Sequence, residues 1–239
     1  MGRAWAKRLT KKTKTDASRC RAWSKCSRAI MVAAKGGGDP DTNMGLRLAI
    51  DEAKLANVPR DNIKNAIEKG SGSGTDTASF DHLVYEAYAP GGIALIIEAL
   101  SNNRNRTAPE LRTILDKNGG AFANAGSVSF QFDRRGEILI EGGKVTEEKL
   151  MEVALDAGAD DIQGDDTDGW QVLTSGAAFL AVKTALEKAG IEFGAASIVM
   201  HPQNTIEVTG EAADKLAKLI DLLEENEDVQ KVHGNYVMA

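Results

Sequence analysis

Eleven cationic side chains stand in the first 35 residues: Arg3, Lys7, Arg8, Lys11, Lys12, Lys14, Arg19, Arg21, Lys25, Arg28 and Lys35. A single acid, Asp16, stands among them. Lysine and arginine neutralise phosphates and release condensed counterions, so such a run gives affinity for a nucleic acid without reading its sequence. Trp5 and Trp23 interleave with the cations, and indole rings stack on unpaired bases. Trp23 falls on an apolar helical phase and reads as a packing residue. For Trp5, stacking and local packing are equally open. The eleven cations and Trp5 are the candidate nucleic-acid-binding residues. A second candidate is Asn102-Asn103-Arg104-Asn105-Arg106-Thr107, placed just before an expected helix. Free backbone N–H groups with Arg104 and Arg106 would bind an anion there. A capped loop with solvated arginines is the equal alternative.

Other chemistry finds less support. His82, His201 and His233 fall on different expected elements, without partners at ligand spacing, so they read as surface or edge-strand histidines and no metal site is assigned. Cys20 and Cys26 are six apart, which fits neither a Cys-x-x-Cys motif nor a disulfide framework, and points to a reducing cytoplasm. Gly36-Gly37-Gly38 follows a helix rather than a strand, and no Gly-Lys-Ser/Thr follows it, so it is a hinge and not a phosphate loop. Asp39–Asn43 opens like a calcium loop, but Met44 takes the glycine position and Ile50 the bidentate-Glu position. Asp160, Asp161, Asp165, Asp166 and Asp168 read as a solvated loop before a weak divalent-ion site. No nucleophile motif accompanies the three histidines, so no catalytic residue, cofactor or enzymatic activity is assigned.

The elements that position these residues follow from periodicity. Residues 16–35 read as a helix in which Arg21, Lys25, Arg28 and Lys35 share one face. Trp23, Cys26, Ile30, Ala33 and Ala34 share the other, and Val32 breaks the pattern. Gly36–Pro40 stops that helix. A second helix spans 43–56 and a third runs from Pro59 to about Lys69, giving a three-helix unit. Gly70–Thr75 has the composition of a linker. Strands 83–89 and 93–100 then form a hairpin across Pro90-Gly91-Gly92. Thr107-x-x-Glu110 has the capping-box form and opens a helix to about 118. A strand is expected over 127–132.

Residues 137–200 read βαββαβ, a ferredoxin-like unit. The last stretch, strand 205–208, helix 211–225 and strand 230–237, completes a second such set with residues 93–132. The expectation is an α+β chain: a helical domain with linker at 1–74, a split α/β domain at 79–134 plus 203–239, and a ferredoxin-like α/β domain inserted at 135–202.

Composition sets the limits. The 239 residues are 42% apolar and 27% charged, and no run approaches a membrane span. The net charge of −6 hides a polarised molecule. Residues 1–35 carry +10, whereas the other 204 residues, with 18 basic and 34 acidic groups, carry −16. Such a chain turns its basic end toward a polyanion. An acid-poor, basic start also suits a transit peptide, but this one runs without a break into a helix with an apolar face.

Ala33–Pro40, Leu46–Ile50, Ala56–Ile63 and Ala66–Gly70 closely resemble the YebC/PmpR family, as do Tyr85–Gly92, Asn102–Thr107 and Asp228–Val232. The resemblance covers nearly the whole chain. Members typically open with Gly-His-Ser-Lys-Trp and carry a Lys-Arg-Gly-Lys-aromatic segment. Here the opening is Gly2-Arg3-Ala4-Trp5, and Arg19-Cys20-Arg21-Ala22-Trp23 places Cys20 at the glycine. The resemblance implies a three-domain cytoplasmic protein without enzymatic activity, related to DNA-binding transcriptional regulators. It also implies kinship with a mitochondrial activator of cytochrome oxidase translation, which acts on mRNA and ribosomes.

The reading that follows is a nucleic-acid-binding regulator of gene expression, DNA-directed, with DNA or RNA as partner and no membrane. A ribosome-associated RNA-binding translation factor is the alternative, and a small-molecule-sensing module, by fold analogy, a remote one.

Overall fold

A computed structural model describes residues 16–72 and 80–238 of the chain. The chain is α+β: a helical N-terminal region precedes two antiparallel four-stranded sheets, each with a pair of helices. Its described residues gather into two compact units, one of residues 16–72, 80–129 and 210–234, the other of residues 130–209 and 235–238.

In the first unit, α1 (Asp16–Ala34), α2 (Met44–Leu55) and α3 (Arg60–Gly70) form a small bundle. Its core is Ile30 and Ala34 of α1, Leu46, Ala49, Ile50 and Ala53 of α2, then Val58, Ile63 and Ala66. Trp23, Cys26 and Ile67 pack against it. This is the apolar phase expected from sequence, with each fully buried aliphatic side chain contributing about 1.5–3 kcal/mol. Asn43 joins the first two helices with one side chain. Its Oδ1 accepts from Leu46 N–H at 3.0 Å, capping α2. Its Nδ2 donates to the Ala33 and Gly37 carbonyls, both at 2.8 Å, satisfying the open end of α1. Asn57, at φ 56°, takes the left-handed turn that ends α2, so α3 starts after Pro59.

The same unit holds β1 (Asp81–Ala89), β2 (Ile93–Ser101), α4 (Arg104–Lys117) and β3 (Ala121–Phe122). After the second unit, the chain returns to the first. The second unit starts inside a 3₁₀ turn at Ser129–Gln131 and continues with β4 (Phe132–Ile140), then α5 (Glu147–Asp156), β5 (Asp161–Asp165), β6 (Gly169–Ser175), α6 (Phe179–Lys188), β7 (Ala195–Pro202) and β8 (Ile206–Val208). Then α7 (Gly210–Glu225) and β9 (Val229–Gly234) complete the first unit, and β10 (Tyr236–Met238) belongs to the second. The second unit's sheet has the order β5-β6-β4-β7, all antiparallel, which is the ferredoxin-like arrangement of a βαββαβ chain.

The first unit's sheet, β3-β1-β2-β9, repeats that layout with one strand supplied differently. The inner position between the β2 and β3 strands is filled by β1, the hairpin partner of β2, rather than by residues 205–208. Those residues are β8, which pairs in parallel with β10 in a separate two-stranded ribbon of the second unit. The single strand expected over 230–237 is therefore two, separated at the buried Asn235, whose Nδ2 donates to Gln131 Oε1 at 3.1 Å. Every apolar residue of β2 is buried, and Leu216, Leu219, Ile220 and Leu223 of α7 are buried with Leu111 and Leu115 of α4. The strand expected over 127–132 begins only at Phe132. The reason is Glu86 on β1, whose carboxylate accepts from the N–H groups of Gly126, Val128 and Ser129 at 2.6, 2.6 and 3.1 Å and curls that segment into a turn.

Candidate nucleic-acid interface

Seven of the twelve candidate residues, Arg3, Trp5, Lys7, Arg8, Lys11, Lys12 and Lys14, lie outside the described residues. The other five are Arg19, Arg21, Lys25 and Arg28 on α1 and Lys35 just after it. Arg19 is exposed at the start of the helix. Trp23 turns inward and donates from Nε1 to the Ala56 carbonyl at 3.1 Å, so its ring packs in the bundle.

Arg21, Lys25 and Arg28 stand at i, i+4 and i+7, the spacing that aligns side chains along one helical face. That face meets an acidic stretch, Glu224-Glu225-Asn226-Glu227-Asp228, at the end of α7. Arg21 lies 3.7 Å from Glu225. Lys25 Nζ donates to the Glu224 carbonyl at 2.5 Å. Arg28 donates to Asp228 Oδ1 at 3.1 Å and to the Glu227 backbone carbonyl, and stands 3.4 Å from the Glu227 carboxylate. Its guanidinium also lies 5.4 Å from the centre of the Phe80 ring. Lys35 Nζ donates to the Phe80 carbonyl at 2.8 Å.

Asp228 is the centre of this arrangement. Its side chain is 2% exposed, and four side chains converge on its carboxylate. Besides Arg28, Arg106 donates at 2.8 Å, Thr107 at 2.6 Å and Ser101 at 3.0 Å. Burial alone would raise the Asp228 pKa, but the bonds from Thr107, Arg106 and Ser101 and the Arg106 charge outweigh it and hold the carboxyl below its ordinary value. The same contacts raise the pKa of the exposed Arg106.

The loop singled out for anion binding thus meets an anion of the chain itself. Arg106 is committed to Asp228, while Arg104 is exposed at the start of α4. The helix cap also differs from expectation. Asn103, not Thr107, is the N-cap, with Oδ1 accepting from Arg106 N–H at 3.2 Å. Thr107 lies fully buried inside the helix, bonded to Asp228. In sequence, Asp228 gives no signal of this role, because its partners come from two distant segments, α1 and residues 101–107.

The histidines are dispersed in sequence, but two of them meet in space. His82 on β1 and His233 on β9 flank Glu98 on β2, with Nε2 at 3.6 and 3.4 Å from its carboxylate oxygens. Burial disfavours the charged form of Glu98, yet the two imidazoles carry its pKa far below the usual carboxylate range. The registers β1–β2 and β2–β9 assemble this group, so no single-strand motif announces it. Among the described residues, no group of three His, Cys, Asp or Glu side chains is arranged to hold a metal ion. In the acidic run, Asp165 closes a hairpin turn by accepting from Thr167 and Asp168 N–H, and Asp160 pairs with Arg135. No helix of the described residues is long and apolar enough to cross a membrane.

Residues 3–73 match the family described as the TACO1/YebC protein N-terminal domain, and residues 80–236 match the TACO1/YebC second and third domain. The chain belongs to the TACO1/YebC family. A relative from Rubrobacter xylanophilus, named a probable transcriptional regulatory protein, is 46% identical over 233 residues, 97% of this chain and 93% of its own. One of the same name from Chlorobium phaeovibrioides is 47% identical over 232 residues, 97% of this chain and 92% of its own. The crystal structure of a conserved hypothetical protein from Aquifex aeolicus superposes with a TM-score of 0.86 at 40% identity, covering 96% of this chain and 94% of that one. The α1 stripe therefore lies within the stretch matching the family's N-terminal domain, and Asp228 within the stretch matching its second and third domain.

Proposed function

We propose that this TACO1/YebC protein is a nucleic-acid-binding regulator of gene expression, acting on transcription through DNA. The observation that carries the reading is the separation of charge, +10 in residues 1–35 against −16 in the remainder. The cationic segment supplies phosphate contacts, and the anionic body keeps the rest of the chain off the duplex. The names of the relatives, probable transcriptional regulatory proteins, support the transcriptional assignment. Regulation of this kind needs no catalytic step. Arg3, Trp5, Lys7, Arg8, Lys11, Lys12 and Lys14, with Arg19, Arg21, Lys25, Arg28 and Lys35, are the proposed contact residues. In the plan we favour, residues 1–74 bind, and the two α/β parts that follow position the binding domain or meet a protein partner. A second reading, a ribosome-associated translation factor, is favoured by the −16 body, which suits basic ribosomal proteins.

The test is binding to duplex DNA, to structured RNA and to ribosomes across a salt series. Truncation belongs at residue 15, because Ile30 and Ala34 farther along α1 are fully buried in the bundle. The truncated chain loses Arg3, Lys7, Arg8, Lys11, Lys12 and Lys14. Its log–log salt slope should flatten by up to about 5, at roughly 0.9 per phosphate contact on duplex DNA. Equal affinity and equal slope in the truncated chain would overturn the reading. Selective co-sedimentation with ribosomes over weak duplex binding would transfer the function to translation.

A further inference from the structure

The acidic end of α7 has an electrostatic problem of its own. Glu224 and Glu225 occupy the last turn, where the helix dipole is negative, and no basic residue stands in that turn. Glu227 and Asp228 follow at once. Besides Arg106 on Asp228, the cations that answer them come from α1: Arg21 on Glu225, Lys25 on the Glu224 carbonyl, and Arg28 on Glu227 and Asp228. These are the three inner members of the stripe proposed above to hold nucleic-acid phosphates.

The helical bundle closes its own apolar core from residues 23–67. Among the described residues its ties to the sheet side include this polar cluster, the Lys231–Glu52 pair at 2.8 Å, and Lys35 and Arg28 at Phe80. Contacts of this type weaken with salt, unlike a shared apolar core. Glu225 and Glu227 are 60% and 78% exposed, so they return to water at little cost when their partners leave. Asp228 is buried, but it has a second guanidinium, Arg106, as well as Thr107 and Ser101. Losing Arg28 therefore does not strand a buried charge. To an arginine, a carboxylate and a phosphate are interchangeable planar-fork partners.

We infer that residues 224–228 act as an internal stand-in for nucleic-acid phosphate: they occupy the α1 stripe in the free chain, and a bound phosphate backbone displaces them. The contact is autoinhibitory. It rests on the nucleic-acid reading above and adds regulation to it. The latched chain engages a polyanion through the outer cations of residues 1–35, and full engagement requires release of the stripe.

The experiment compares full-length chains binding a short duplex DNA and a short RNA hairpin. Glu225→Gln with Glu227→Gln removes the two exposed latch acids. Glu211→Gln with Asp214→Asn, at the opposite end of α7, makes the same change in charge and controls for long-range repulsion. The latch variant should bind about three- to ten-fold tighter than the control, the equivalent of one or two surface ion pairs released. Equal affinity in the two variants overturns the latch. A second pair, Arg21→Cys with Glu225→Cys in a Cys20→Ser, Cys26→Ala background, is bridged by a short bis-maleimide. The bridged chain should bind less tightly than the same chain with both thiols capped singly, and equal binding again overturns it.

A third readout needs no nucleic acid. Amide protection over residues 222–230 should fall as salt rises from about 0.05 to 0.5 M. Unchanged protection refutes the latch. Salt-dependent loosening in a chain that binds no DNA, RNA or ribosome would refute the nucleic-acid reading and the inhibitory role together, while leaving the charge clamp itself in place.

Discussion

Replacing Asp228 by Asn keeps the shape of the side chain and removes its charge, which isolates what the carboxylate contributes. In the native chain two guanidiniums and two hydroxyls point at it, at 2.6–3.1 Å. Asparagine offers one acceptor oxygen in place of two and turns an NH₂ toward groups that are themselves donors. Thr107 and Ser101 can rotate their hydroxyls to accept, but Arg28 and Arg106 cannot. The loss is therefore two charge-assisted bonds of about 1.5–3 kcal/mol each. Arg106 is half exposed and recovers water, whereas Arg28, at 15% exposure, recovers little. The net cost is about 2–4 kcal/mol. A chain with several domains need not unfold in one step, so the assay is urea-dependent amide exchange at the start of α4 and along β9. Double-mutant cycles with Arg28→Ala and Arg106→Ala should each return a coupling of about 1–2 kcal/mol. The pH dependence fixes the sign. The Asp228 pKa lies below its unfolded value, so its contribution is complete above the ordinary carboxylate range and is lost only as pH falls through the lower folded value. The gap between variant and parent should hold from about pH 8 to about pH 5 and close only in stronger acid. An Asp228→Asn chain as resistant to urea as its parent, or a gap already closed near pH 5, would show that Asp228 is not the electrostatic centre described.

Three further perturbations test other parts of the fold. Gly70→Ala places a methyl against the Met31 carbonyl, 2.7 Å from Met31 Cα and 2.8 Å from Ala34 Cβ, so α1 and α3 must separate. The cost is at least about 1–3 kcal/mol, read as an earlier transition in Trp23 fluorescence. Glu86→Gln weakens the grip on the Gly126–Ser129 turn by about 1–2 kcal/mol at neutral pH. Burial opposes the charge of Glu86, but the backbone N–H groups of Val128, Gly126 and Ser129 lower its pKa overall. The difference in amide protection between parent and variant should therefore be full above the ordinary carboxylate range and vanish as pH drops through the lower folded value. Asn103→Ala should cost about 1 kcal/mol through loss of the α4 cap, against less than about 0.5 kcal/mol for Glu110→Ala; the reverse order in thermal melts would restore the Thr107 capping box.

What the sequence made legible was local, and what it concealed was long-range pairing of polar groups. The apolar phase of α1, the ends of α2 and α3, and the β1–β2 hairpin all follow from periodicity and punctuation, because neighbouring residues decide them. Thr107 misled because the Thr-x-x-Glu pattern is right for a capping box, while the competing Asn103 stands four residues earlier and makes the same bond. Residues 127–129 alternate like a strand, but a carboxylate about 40 residues away claims their N–H groups. The stripe of Arg21, Lys25 and Arg28 was found in phase, yet its partners lie about 200 residues onward. Charge patterns report that a face is polar, and nothing in their spacing says which opposite charge will meet it. For the same reason His82, Glu98 and His233 become a group only when three strands are in register.

The internal pairing changes how a salt series on this protein must be interpreted. Salt weakens phosphate contacts in proportion to their number, which alone gives a straight, steep fall of log affinity with log salt. It also weakens the α1 contacts to Glu225 and Glu227, which frees Arg21 for phosphate and leaves Arg28 held by Asp228. The two effects have opposite signs. At low salt the latch holds and part of each added increment is spent opening it, so the slope is shallow; once the stripe is free the fall steepens toward the full count of contacts. A slope measured only at low salt would then understate the number of cations that meet the nucleic acid. In the Glu225→Gln, Glu227→Gln chain the opposing contribution is reduced, so its plot should be straighter and steeper at the low-salt end, converging with the parent's as salt rises. A simple gain in net positive charge is also screened as salt rises, so the Glu211→Gln, Asp214→Asn chain sets the baseline: a latch requires the Glu225→Gln, Glu227→Gln plot to be steeper at the low-salt end than that control's.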